Sequence, residues 1–368
     1  MRLRSKASSG FTLVELLVAM ALSLLVLGAG LTMFKQGNDV ATVVSARAQM
    51  QQDLRASENL IIRDISLAGA GLPNGGVGLP IGGGPNPKYG CDQTAACYVP
   101  FAGAGVSNGI NVPNRQLTYI VPGPGLGPKL NGTQPNSDVV TVVYADTAFA
   151  LDQYSVAFNA NATQVTFTAP NPLPAPPPQT VDDPSVGLVP GDLVFFQNGA
   201  GKAAIAEVTG AVNRVNTKTF TVPFLSGDVL NFNQPGTSGD LDDFVGSASP
   251  AQARRIWVIT YYLSTWTDGT GNVIPRLMRQ VNGQPAVPVA ENIVDFRLSY
   301  DTYDANGNLL VNSKDAGASV GVSPNMIRKV NIQHLTAKKQ LPRSLGFETI
   351  DLQTQISARN MSFKDRYQ

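Results

Sequence analysis

Apolar residues follow two patterns in the first fifth of the chain. Residues 11–34 are almost continuously apolar, and as a helix they would extend about 36 Å, enough to cross a bilayer. After them, apolar residues recur at three- and four-residue steps, at Val40, Val43, Met50, Leu54, Ile61 and Ile65. This spacing predicts one helix from Phe11 to about Ala68, ended by Gly69, Gly71 and Pro73.

Short runs rich in Val, Ile, Tyr and Phe, separated by Gly, Pro and Asn, predict strands in the remainder. They lie at 115–121, 138–145, 164–168, 191–210, 255–281, 291–310, 326–337 and 347–360. The run 191–210 predicts two strands around a Gly turn, and the run 255–281 predicts a long hairpin about Asp268 and Gly269. His334 would share a strand face with Val330 and Ile332, which favours a packed, hydrogen-bonded histidine. The fold class is therefore α+β, with a long N-terminal helix packed on an antiparallel sheet.

The same patterns predict a division into segments. A leader peptide occupies residues 1–10, a transmembrane and assembly helix 11–34, and an amphipathic continuation 35–69. A first β-rich part, 70–170, is separated from a second, 185–368, by a proline-rich linker at 171–184.

Composition and charge narrow the functional classes. The formal net charge is +1, and basic residues do not cluster with aromatic ones, so a nucleic-acid partner is not expected. The chain has two cysteines, Cys91 and Cys97, and one histidine, too few ligands for a structural zinc site. A disulfide between Cys91 and Cys97 is the natural interpretation, and it would place this part of the chain in an oxidising compartment.

Glu15 is the one charged residue within 11–34. A carboxylate costs about 2.5 to 3.5 kcal/mol at the bilayer centre, and a helix N-terminus offsets only about 0.3 to 1 kcal/mol of that. Arg2, Arg4 and Lys6 precede the apolar run and keep the N-terminus cytoplasmic. Cleavage after Gly10 would free the ammonium of Phe11, and Glu15 of a neighbouring chain could pair with it. An interfacial carboxylate in a plain signal anchor is the alternative.

The segment GFTLVELLVAM resembles the class III signal of type IV pilins and type II secretion pseudopilins. The resemblance implies cleavage between Gly10 and Phe11 by a prepilin peptidase, N-methylation of Phe11, and a role for Glu15 in assembly. The order of later motifs, from QDLRASENLIIRDISLAGAG to the closing ISARN, is similar to the PilW group of minor pilins. It implies a pilin-like fold and partners among other minor pilins, the major pilin and a tip adhesin.

Other chemistry is weakly supported. Gly-x-Ser-x-Gly occurs around Ser107 and Ser319, but only His334 could act as a base and no acid lies between Ser319 and it. Asp304, Asn306, Asn308 and Asp315 could offer oxygens to calcium, yet Leu309 stands where an EF-hand requires Gly. We therefore expect no enzyme, no metal and no cofactor.

The predicted function is that of a minor pilin that assembles with other minor pilins to prime and cap type IV pilus filaments. The chain would lie in the inner membrane with a periplasmic head, and then in the extracellular pilus. The alternatives are a minor pseudopilin of a type II secretion system and a pilus-tip adhesin subunit.

Overall fold

The computed structural model describes residues 11–73, 75–80, 87–91, 97–100, 106–107, 110–111, 116–130, 132, 135–175, 177–303, 307–313, 324–341 and 346–362. The helices are α1 Leu13–Leu67 and α2 Arg359–Ser362. The strands in the first half of these residues are β1 Val77–Gly78, β2 Lys88–Cys91, β3 Cys97–Pro100, β4 Val106–Ser107, β5 Ile110–Asn111, β6 Gln116–Leu117, β7 Ile120–Gly123, β8 Val139–Ala145, β9 Ser155–Phe158 and β10 Gln164–Thr168. The later strands are β11 Leu193–Asn198, β12 Ala203–Glu207, β13 Asn213–Arg214, β14 Thr219–Pro223, β15 Ala251–Thr267, β16 Val273–Val281, β17 Val287–Glu291, β18 Ile293–Tyr303, β19 Leu309–Ser313, β20 Ile327–Gln340 and β21 Phe347–Ser357.

The predicted α+β fold, a long apolar helix followed by antiparallel sheets, is confirmed. Contacts divide the chain into two compact units, one of Met1–Gln51 with Lys339–Glu348 and one of Gln52–Lys338 with Thr349–Gln368. In the first, the Lys339 ammonium donates a hydrogen bond to the Gln49 side chain at 3.1 Å. The second contains the helix end and the cores of the sheets.

The helix ends where the glycines predict. Gly69 has φ +77°, a left-handed conformation that favours glycine, and a Cβ there would lie 2.9 Å from the Tyr119 ring. The Gly69 N–H then donates to the Val143 carbonyl, and the Ala145 N–H donates to the Ala70 carbonyl. The chain therefore leaves α1 directly along β8.

Three larger sheets make up most of the second unit. The first has the order β12-β11-β15-β16-β17, with β8 also paired to β15 and β7 paired to β8. The second has the order β13-β14-β10-β9, and the third β19-β18-β20-β21. The two predicted hairpins are present, as β11 with β12 and as β15 with β16. At the β15–β16 turn the Asp268 carboxylate accepts hydrogen bonds from Thr270 and Asn272, which lower its pKa to about 2.

A phenylalanine-rich core lies within this unit. Phe158 stacks on Phe244 with ring centroids 5.1 Å apart, and Phe196 meets Phe224 edge-on at 5.7 Å. Side chains from both flanks of the predicted linker 171–184 share this core, and Val181 of the linker itself is buried in it. The division of the β-rich region at 171–184 stays a prediction.

The prediction for His334 is wrong in one respect. A β-bulge interrupts β20, because Arg297 pairs with His334 whereas Leu298 pairs with Ile332. The bulge turns His334 away from the buried face, so its side chain is 34% exposed rather than packed. Its Nδ1 atom does form the expected hydrogen bond, with the Asp351 carboxylate at 2.9 Å.

Candidate assembly site

The start of α1 is a capping box formed by Thr12 and Glu15. The Thr12 N–H and hydroxyl both donate to Glu15 Oε2 at 3.0 Å, and the Glu15 N–H donates to the Thr12 hydroxyl at 3.3 Å. The carboxylate therefore has partners within its own chain, which sequence reasoning missed. The signal was present, since Thr-x-x-Glu before an apolar run is the usual signature of a capping box.

The helix that follows exposes its apolar side chains. Phe11 is 85% exposed and Phe34 76%, and within the apolar window of α1 no residue is buried. By length and composition α1 is apolar enough to cross a membrane. A continuous apolar surface of this size must be covered by hydrocarbon or by other helices.

The last turns of α1 are fixed to the first sheet by a buried carboxylate, Asp64. It accepts hydrogen bonds from the Tyr261 hydroxyl at 2.6 Å, the Tyr144 hydroxyl at 3.1 Å and Arg279 Nε at 2.8 Å. Arg63, the preceding residue, donates to the same group at 3.0 Å. One carboxylate thereby joins the helix to three strands, β8, β15 and β16.

The electrostatics of this cluster hold both phenols neutral. Burial raises the pKa of Tyr261 and of Tyr144, and the adjacent Asp64 charge raises both further. Leu54, Ile61 and Ile65 are buried on the same side of the helix. The apolar positions were predicted from periodicity, whereas Asp64 was not, because a single acid at a core position has no sequence signature.

A second group of buried acids lies beside β12. The Glu207 carboxylate accepts a hydrogen bond from the Leu230 N–H, and Asp228 accepts from the N–H groups of Phe232 and Asn233. Burial, together with the Asp228 charge, raises the pKa of Glu207 to about 7. Burial likewise raises the pKa of Asp240 to about 7. These hydrogen bonds hold the segment 225–241 against the sheet. In the part of the chain that the structure describes, no group of three potential metal ligands occurs.

The remaining predicted site residues are distributed as follows. Gly10 lies outside the described residues, as do Ser319, Asp304, Asn306 and Asp315. Cys91 and Cys97 are opposite each other in the antiparallel pair β2–β3. Ser107 lies on the short strand β4, which pairs with β5. Whether Cys91 and Cys97 are bonded stays a prediction.

Comparisons with known proteins match only parts of the chain. Residues 5–31 match the family model for the prokaryotic N-terminal methylation motif. Over 67 residues the chain is 39% identical to the pilin-like protein PilA3 of Thermus thermophilus. That alignment covers 18% of this chain and 29% of the relative, so the chain spans less than a third of the relative's length. No solved structure matches the chain.

The chain therefore carries a prepilin-type N-terminal methylation motif, and over part of its length it is similar to a pilin-like protein. Together with the exposed apolar helix, the motif fits a membrane-anchored protein.

Proposed function

We propose that this chain is a minor pilin of the PilW-like group, which assembles with other minor pilins to prime and cap type IV pilus filaments. Prepilin peptidase cleaves between Gly10 and Phe11, and Phe11 becomes N-methylated. The protein waits in the inner membrane with its β-rich region in the periplasm, and it is then carried into the extracellular filament.

The observation that carries the proposal is the exposed apolar helix with a single carboxylate at its N-terminal end. Glu15 is the one charged residue in 11–34, and it is held on the first turn by Thr12. After cleavage, the new ammonium of Phe11 on a neighbouring chain is a stronger partner than the neutral donors of Thr12, because it adds the attraction between two full charges, which is large in a low-dielectric helix bundle. The capping box thus presents the carboxylate until a second helix arrives.

The test separates the charge of Glu15 from its capping role. Glutamine also completes a capping box, so Glu15→Gln keeps the cap and removes the charge, whereas Glu15→Val removes both. Breaking a buried ion pair costs about 3 to 5 kcal/mol, equivalent to two to four decades in an association constant. We expect both variants to be inserted and processed, yet depleted from sheared pili and unable to restore piliation in a deletion strain.

Two outcomes would contradict the proposal. Wild-type incorporation of Glu15→Gln would show that the residue acts only as a helix cap. A deletion strain that keeps its pili but fails to secrete proteins would instead assign the chain to a type II secretion system. Crosslinking in sheared pili, with identification of the bound pilins, then gives the position of the subunit in the filament.

A further inference from the structure

A cleft of about 380 Å³ opens on the third sheet. One wall is the loop that contains Pro124 and Asn136, and the floor is formed by β18 and β20 with the β19 residue Asn312. Its volume lies within the range of small-molecule sites.

The bulge in β20 decides which side chains reach the cleft. It leaves Gln333 without a Cα partner on β18, and Gln333 and His334 both line the cleft beside Arg297. Bulges re-aim side chains in this way near functional sites. Arg297 and His334 are direct cross-strand neighbours, so the cleft has an imidazole and a guanidinium side by side.

Each of these two groups is held in place by a carboxylate. Arg297 Nε lies 3.0 Å from both oxygens of Asp295, and His334 Nδ1 lies 2.9 Å from Asp351. Gln333 Nε2 donates to the Ser299 hydroxyl at 2.7 Å and to Asn312 Oδ1 at 3.0 Å. Hydrogen bonds that fix the orientation of polar side chains reduce the entropy lost when a ligand binds.

The polar atoms of the cleft side chains that take no part in these hydrogen bonds include both donors and acceptors. Within the described residues, Arg297 Nη1, His334 Nε2 and Asn312 Nδ2 have no hydrogen-bond partner. The same holds for the acceptors Gln333 Oε1 and Asn136 Oδ1. The cleft therefore offers both donors and acceptors to a ligand.

The charges disfavour an ionic ligand. Asp138 is the one carboxylate among the residues that line the cleft, and each of its oxygens already accepts a backbone hydrogen bond, from Gly125 or Leu298, so a cation would find only a single, partly occupied carboxylate. The charge of Arg297 is balanced by Asp295, and Asp351 lies against His334, so an anion would gain little. A neutral ligand with alternating donors and acceptors fits best.

We propose that this cleft binds a neutral saccharide. Each sugar hydroxyl both donates and accepts, which matches the free atoms of Arg297, Asn312 and Gln333, while Pro124 and Pro135 provide apolar surface for the C–H face of the ring. The proposal does not depend on the role of Glu15 in assembly, and either can fail without the other.

The test uses the full chain in detergent micelles and saturation-transfer difference NMR. The probes are glucose, galactose, N-acetylglucosamine and their β-linked disaccharides, with glucuronate, inorganic phosphate and a Gly-Ser tetrapeptide for comparison. Asn312→Asp is isosteric and tolerates the left-handed φ of +55° at this position, yet it replaces the free Nδ2 donor by an acceptor. Asn136→Ala removes the acceptor on the opposite wall, and Asn213→Asp, an exposed residue of the second sheet, is the matched control.

We expect at least one neutral saccharide to bind the wild-type chain and the Asn213→Asp variant equally. Loss of one hydrogen bond should weaken that binding about tenfold in Asn312→Asp and in Asn136→Ala. The proposal is overturned if no saccharide binds, if saccharide binding is unaffected by the two cleft variants, or if glucuronate, phosphate or the peptide binds more tightly than every neutral sugar.

Discussion

The Asp64 cluster gives a quantitative prediction about how α1 is held on the sheet. Replacing Asp64 by Asn keeps the shape of the side chain but removes the charge that Arg279, Tyr261 and Tyr144 share. The Arg279 side chain is only 15% exposed and would remain in place without its carboxylate. An amide NH2 group would also face a guanidinium that can only donate.

The expected loss in the free energy of unfolding follows from the burial of Arg279. Removing one partner of a buried ion pair destabilises a protein by about 3 to 5 kcal/mol, since the other charge is left uncompensated. The matched control is Asp182→Asn, which breaks the bidentate Arg214–Asp182 pair at 2.6 to 2.7 Å. That pair is largely exposed, with the Arg214 side chain at 47%, and an exposed pair contributes about 0 to 1 kcal/mol.

The assay is urea denaturation of the full chain in mild detergent, followed by tryptophan fluorescence, together with hydrogen exchange of the amides in 54–67. A loss of about 3 kcal/mol corresponds to roughly a hundredfold faster exchange in these turns if they open with the cluster. The double variant Asp64→Leu with Arg279→Met removes both charges. We expect its loss of stability to be about 2 to 3 kcal/mol smaller than the sum of the losses in the two single variants Asp64→Leu and Arg279→Met. Equal costs for Asp64→Asn and Asp182→Asn would refute the view that Asp64 fastens the helix.

Three further predictions concern processing, the disulfide and pH. Gly10→Val should leave unprocessed protein in the membrane, because the valine side chain intrudes where the peptidase approaches the backbone. Mature-length protein on immunoblots of this variant would show that the chain is not cleaved in this way after Gly10. Cys91 and Cys97 should resist alkylation before reduction. The Cα atoms of residues opposed in an antiparallel pair lie about 4.5 to 5.5 Å apart, which is within the range for a disulfide, and full labelling of both thiols would exclude the bond. The pKa of Glu207 is raised from 4.5 to about 7, so its contribution to stability is fully present below pH 4.5 and is lost as pH rises to about 7. Glu207→Gln should reduce the slope of the urea-midpoint profile in this range and leave the part that comes from Asp240, whose pKa is also raised to about 7. An unchanged slope would show that Glu207 does not titrate there.

The sequence alone determined the elements whose signals are local. The apolar run, the three- and four-residue spacing and the glycines at 69 and 71 were sufficient for α1, which ends at Leu67. The hairpin at Asp268 was also predictable, because the turn is built from hydrogen bonds between residues two to four positions apart. The prepilin-type signal is likewise contiguous, and a family model matches it at 5–31.

Tertiary structure decided the features in which distant residues meet. Asp64 contacts Tyr261 and Arg279, which are separated from it by 197 and 215 positions, and nothing in its local sequence distinguishes it from a surface acid. The bulge that exposes His334 depends on the register of β18 against β20, which shifts by one residue between Arg297 and Leu298. A shift of one residue moves a side chain to the other face of a strand, so periodicity along β20 could not indicate the cleft. Burial and pairing register are properties of the assembled sheets, and they fix which polar residues are available to a ligand.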